Sequence, residues 1–193
     1  MIDFNFALPV ALGIGLAAAT GFRVFLPLLI MSIAANAGYL PLSDGFSWLS
    51  TSGALIMLVV AALVEIIAYY IPGVDNLLDS LVTPGAIVAG IAVSAAVMTD
   101  MPPMVKWTLA IIAGGGTAAL TQGATAVIRA HSSIFTAGLG NPVVATVEFL
   151  GALLVSLLAL LAPFIALTFV VVLFLLTIRM AIKIKRPDKP PIA

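Results

Sequence analysis

Long apolar runs separated by short polar or Pro/Gly-rich breaks make up nearly all of the chain. A helix that crosses a bilayer needs about 20 mainly apolar residues. On that rule the breaks predict six spans, at residues 7–35, 52–71, 84–99, 104–130, 142–162 and 164–183. The third span is short and starts at Pro84-Gly85. In the first, Gly21 and Pro27 bracket Arg23, so a kink or break is expected there, and an interrupted helix frees backbone groups that can hold a substrate or ion. Between the second and third spans, Asp75 and Asp79 share one helical face while Val74, Leu77, Leu78 and Leu81 cover the other. That pattern predicts an amphipathic helix at the cytoplasmic interface or folded into the bundle.

The same polarity pattern hints at duplication. Gly15 to Thr20 reads like Gly116 to Thr121, and an arginine follows each, Arg23 or Arg129. Val59-Val60-Ala61 with Glu65 likewise matches Val143-Val144-Ala145 with Glu148, in the same order. The expected architecture is one all-α, polytopic membrane domain over 1–193, with three-helix repeats at 7–99 and 104–183 and a basic tail at 184–193. Three spans per repeat force the second to insert upside down, the 3+3 inverted repeat of many carriers.

Composition excludes a water-soluble domain: of 193 residues, 63% are hydrophobic and 8% charged, against roughly a quarter charged in soluble domains. Lys+Arg and Asp+Glu both total 8, so nothing suggests a nucleic-acid partner. Cysteine is absent, which removes disulfides and thiolate chemistry. No basic n-region precedes the first apolar run, which therefore reads as a retained span. Arg179, Lys183, Lys185, Arg186 and Lys189 make the tail basic and, by the positive-inside rule, cytoplasmic. Six spans then place the N-terminus in the cytoplasm too, with Arg129 and His131 on that side and Lys106 outside. The expected location is the inner (plasma) membrane.

Candidate chemistry rests on the few charges inside apolar helices. A centrally placed ion costs upwards of about 2.5–3.5 kcal/mol unless a partner or water relieves it. Arg23 should therefore face the interior, with Glu65 as its natural partner and Glu148 as a second carboxylate. These groups suit either a polar cavity that exchanges a proton or cation and holds an anionic group, or a structural ion pair that fixes register. Arg129, near a span end, is expected to reach the headgroups, with substrate or ion binding as the alternative. Asp75 and Asp79 offer a cation site, but hard cations need more oxygen ligands than one pair provides. The small-residue stripes Gly13, Ala17, Gly21 and Gly115, Ala119, Gly123 predict close helix packing. Thr117, Thr121 and Thr125 either line a wet path or bond back to their own helix. No common catalytic motif occurs, so no enzyme activity and no cofactor are expected.

Several of these segments together carry a resemblance: Gly21-Phe22-Arg23-Val24-Phe25-Leu26-Pro27, Glu65 with Ile71-Pro72-Gly73-Val74-Asp75 and Asp79, and Pro84-Gly85-Ala86. Gly114-Gly115-Gly116 leading to Arg129, and Glu148 through to Pro163, extend it over nearly the whole chain. The sequence resembles the bacterial membrane proteins grouped as domain of unknown function 4126. It departs from that family at Phe149, where an acidic residue often follows the glutamate, and at Thr121 and Ala124, where a histidine and lysine often occur. The resemblance implies a membrane fold and gives weight to Arg23, Glu65, Asp75 and Asp79. The leading expectation is a small carrier or permease of the bilayer, homodimeric, coupled through buried carboxylates. The alternatives are a non-catalytic subunit or assembly factor of a larger membrane complex, and a lipid-modifying enzyme.

Overall fold

A computed structural model describes residues 4–71 and 74–184, with side chains described for 6–71, 74, 78 and 82–179. The helices are α1 (Phe4–Thr20), α2 (Phe25–Asn36), α3 (Ser52–Ala68), α4 (Val74–Val97), α5 (Pro103–Thr136), α6 (Asn141–Leu161) and α7 (Pro163–Ile184). A 3-10 helix at Asp44–Ser50 precedes α3, and no strand occurs among the described residues. Helices α5 and α6 are each long and apolar enough to cross a membrane. The 3-10 helix and α3 pass the same test as one span bent by 72°, while Phe6–Thr20, Phe25–Asn36, Val82–Val97 and Pro163–Arg179 are shorter apolar helices.

The outward surface is apolar. On α3 alone Ile56, Met57, Val60, Leu63, Val64 and Ile67 are exposed. Water-soluble monomers rarely display contiguous apolar faces of this kind; with the candidate spans, they are the surface of a membrane-type helical protein. Helix α1 instead lies at the centre, packed against α2, α4, α5, α6 and α7. Its Ala11, Leu16, Ala17, Ala18, Ala19 and Thr20 are buried, as expected of a helix apolar all round.

Contacts along α1 fix the direction of its neighbours. Gly13 meets Ser94 and the Thr20 hydroxyl approaches the Ala86 carbonyl, so α1 and α4 are antiparallel. Gly15 meets both Ala159 and Ala166, while Arg23 bonds the Ala145 carbonyl and Ala18 and Ala19 pack with Val170, so α6 is antiparallel and α7 parallel to α1 across the turn at Ala162. After the break, Val24 packs with Ala86 and Ala89, yet the Ser43 amide donates to the Ala96 carbonyl at 2.8 Å. The chain has therefore turned around, and α2 runs back along α4.

This corrects the first expected span. The chain breaks at the expected place, but residues 7–35 form a helical hairpin and not one span, and its turn, Gly21 to Val24, is buried inside the bundle. Pro27 is the third residue of α2, a first-turn position where a proline sacrifices no intrahelical hydrogen bond. The start of α1 and the end of α7 consequently lie at opposite ends of the bundle, here called the amino end and the tail end.

The hairpin also bears on the repeat. Helices α1 and α5, which share the first sequence match, run the same way, whereas α3 and α6, which share the second, run in opposite directions. One inversion axis does not relate both matches, because α2 and the 3-10 helix have no counterpart in the second half. The expected break at Pro84 is likewise absent: the Asp75–Asp79 segment and the third span form one helix, α4, with Pro84 inside it. A proline removes one amide donor and bends a helix, but a packed helix continues through it.

Small residues set the close approaches. A Cβ on Gly90 would strike Ala118, and one on Gly114 would strike Ser94 and the Gly90 carbonyl. Gly21 has no room either, facing Thr121, the Ala118 carbonyl and the Gln122 amide. Of the second predicted stripe, Gly115 packs against the Ile91 side chain while Gly123 faces open space, and the closest approaches fall at Gly114 and Ala118. A six-residue π-helical stretch at Ala110–Gly115 within α5 adjoins α4 at this contact.

Candidate functional site

Every charged residue expected within the membrane and described here lies near the hairpin turn, toward the tail end. The last turn of α1 closes through Gly21 N to Ala18 O and Arg23 N to Ala19 O, both 3.2 Å. The chain then restarts as α2, whose first amides lack intrahelical acceptors. Glu65, near the end of α3, supplies both acceptors: Oε1 accepts from Val24 N at 2.7 Å and Oε2 from Phe25 N at 2.9 Å. A carboxylate on a helix N-terminus is favoured by charge-assisted hydrogen bonds and by the helix dipole.

Glu65 is thus not the ion-pair partner expected for Arg23. That partner is Glu148, whose Oε2 lies 3.3 Å from Arg23 Nη2, and the same nitrogen donates to the Ala145 carbonyl at 2.8 Å. Arg129 donates to the same Glu148 oxygen. It does not extend to the headgroups, being 2% exposed. The reason is geometric: α5 continues to Thr136, so Arg129 sits two turns inside the helix, facing α6.

Tyr69, just beyond α3, joins the two arginines. Its ring centroid lies 3.8 Å from the Arg23 guanidinium carbon and 4.4 Å from that of Arg129. Cation–π attraction strengthens where water is excluded, and Tyr69 is 3% exposed. The adjacent Tyr70 hydroxyl bonds Thr146 Oγ1 at 2.8 Å, tying α3 to α6. Sequence reasoning does not single out Tyr69, because a tyrosine at a span end reads as an interfacial belt residue. Arg23 Nε and Nη1 are buried without a hydrogen-bond partner among the described residues.

The threonine stripe is buried but inward-bonded: Thr121 Oγ1 donates to Thr117 O at 3.1 Å and Thr125 Oγ1 to Gln122 O at 3.0 Å. His131 is exposed and its Nδ1 lies 2.9 Å from the Val127 carbonyl. Asp75 and Asp79 occupy the first turns of α4 toward the tail end, but their side chains lie outside the described residues. Among the described residues no three His, Asp or Glu side chains converge as a metal site would require.

Two adjoining cavities of about 660 and 630 Å³ lie between α2, α3 and α4, and share Val24, Phe25, Met57, Ala61 and Gly85. Glu65 lines the first and is the single ionisable side chain in either wall among the described residues. A smaller cavity of about 170 Å³ between α5 and α6 reaches Glu148, beside Phe22 and Thr125.

The family model described as Domain of unknown function (DUF4126) matches residues 10–183. Comparison with curated proteins and with solved structures gives no match.

Proposed function

Since the chain belongs to the family described as Domain of unknown function (DUF4126), a description that carries no activity, we propose a function from the site: a small membrane carrier with the hairpin turn as its gate. The observation that carries this reading is the Glu65 carboxylate holding the Val24 and Phe25 amides, where the buried turn passes into α2. Irregular backbone at membrane depth is tolerated only where protein buries it or a cavity borders it. Here a large cavity borders Val24, Phe25 and Glu65.

Protonation of Glu65 would remove one of the two acceptors and loosen α3 from α2. Helix α3 is the element suited to move, because it packs mainly on α2 and the 3-10 helix. Arg23, Glu148 and Arg129 form the fixed side of the gate, and Tyr69, at the end of α3, is the ring that closes against it. In this reading α3 to α7 cross the bilayer, α1–α2 is re-entrant, and the basic tail places the gate in the cytoplasmic half.

The chain has no cysteine, so single cysteines report accessibility directly. With Val24→Cys or Ala61→Cys in sealed vesicles, an impermeant maleimide is expected to label from both sides. Adding Glu65→Gln is expected to shift the balance several-fold toward one side. Labelling from one side only, unchanged by Glu65→Gln, would overturn the carrier reading.

A second reading, a non-transporting subunit of a membrane complex or homodimer, draws on the closure of the Arg23–Glu148–Arg129 cluster, whose side chains are 1–4% exposed. A dry cluster of this kind fixes helix register without any flux. Co-purification of stable membrane partners together with one-sided labelling would favour it.

A further inference from the structure

We propose that the paired cavities between α2, α3 and α4 bind a hydrophobic organic cation, held by Glu65 and by aromatic faces. This rests on the carrier reading and names its substrate class. Three observations combine. The walls are aliphatic and aromatic, and among the described residues Glu65 is the one ionisable group in them. Both Glu65 oxygens accept one amide each, but a carboxylate has about four lone-pair directions, so negative potential still faces the cavity. Phe25, Phe46 and Trp48 line the second cavity, and aromatic faces attract desolvated cations.

Size and access agree with this class. Each cavity falls within the roughly 300–1,000 Å³ of small-molecule sites. The exposed Ile56, Met57, Val60 and Val64 put the outer wall on the lipid-facing surface, where a hydrophobic cation accumulates before binding. Arg23 and Arg129 do not oppose it from the wall, since neither lines either cavity and both turn to Glu148. A lipid tail would fill the same volume, but it would not discriminate by charge.

The test uses two ions of one shape and opposite sign. In the full chain with Trp107→Phe, Trp48 is the remaining tryptophan and reports on the second cavity. Tetraphenylphosphonium is expected to quench it saturably, and tetraphenylborate to bind at least tenfold more weakly. Glu65→Gln is expected to weaken phosphonium binding tenfold or more, whereas Glu65→Asp, which keeps the charge, retains the preference for the cation. Equal binding of both ions, or binding untouched by Glu65→Gln in a folded protein, would mean an uncharged apolar groove and overturn the proposal. Lost phosphonium binding alongside two-sided cysteine labelling would remove this substrate and leave the carrier standing.

Discussion

Two glutamates at matching sequence positions do different physical work. Glu148 is the carboxylate between two guanidiniums, and Glu65 accepts from two amides. Glu148→Gln takes from Arg23 its ion-pair partner among the described residues, and an unbalanced buried charge costs about 3–5 kcal/mol. Glu65→Gln leaves one acceptor for two amides, a loss of about 1–3 kcal/mol. Glu148→Gln should therefore lower the apparent melting temperature in detergent more than Glu65→Gln does; the reverse order would contradict these roles. The four residues were legible in the sequence because an ion in an apolar run is expensive enough to stand out. Their pairing was not. As parts of two crossings Arg23 and Glu65 look like partners, but the return of the chain after Gly21–Val24 presents the Val24 and Phe25 amides to Glu65 and sends the guanidinium toward α6.

The hairpin itself shows what periodicity leaves out. The run from residue 7 to 35 is apolar throughout, so nothing in it separates one long helix from two short antiparallel ones. Gly21 and Pro27 marked the place of the break, not the direction taken after it. The last two spans were easier to read, since Pro142 and Pro163 each open a helix and only Ala162 separates α6 from α7. Glycines are informative only in company. Gly123 belongs to a predicted small-residue stripe and Gly90 does not, yet Gly90 faces Ala118 and Gly123 open space. Gly90→Ala should destabilise by about 1–3 kcal/mol through overpacking. Gly123→Ala should be neutral or stabilising by up to about 1 kcal/mol, from helix propensity. Melting temperatures in detergent decide this, and equal effects at the two sites would show that the α4–α5 contact is not as close as described.

At the scale of the whole molecule, the return of α2 changes the parity of the chain in the membrane. If α1 were part of one crossing, six spans would put both termini on one side. With α1–α2 entering and leaving at the amino end, the five helices that follow place the end of α7 opposite the start of α1. By the positive-inside rule the basic tail is expected to draw the tail end to the cytoplasm, so the start of α1 should face outward. Lys106, near the start of α5, is then expected on the outer side and Arg179 on the inner. Topology reporters test this directly: a fusion to the N-terminus should be active only if it matures outside the cytoplasm, and one to the C-terminus only if it stays within. Both termini on the cytoplasmic side would mean that α1 and α2 form a single crossing after all. The buried turn, the Glu65 latch and the cavity beside it would then lose their common geometric basis, which makes terminal topology the most economical check on the carrier reading.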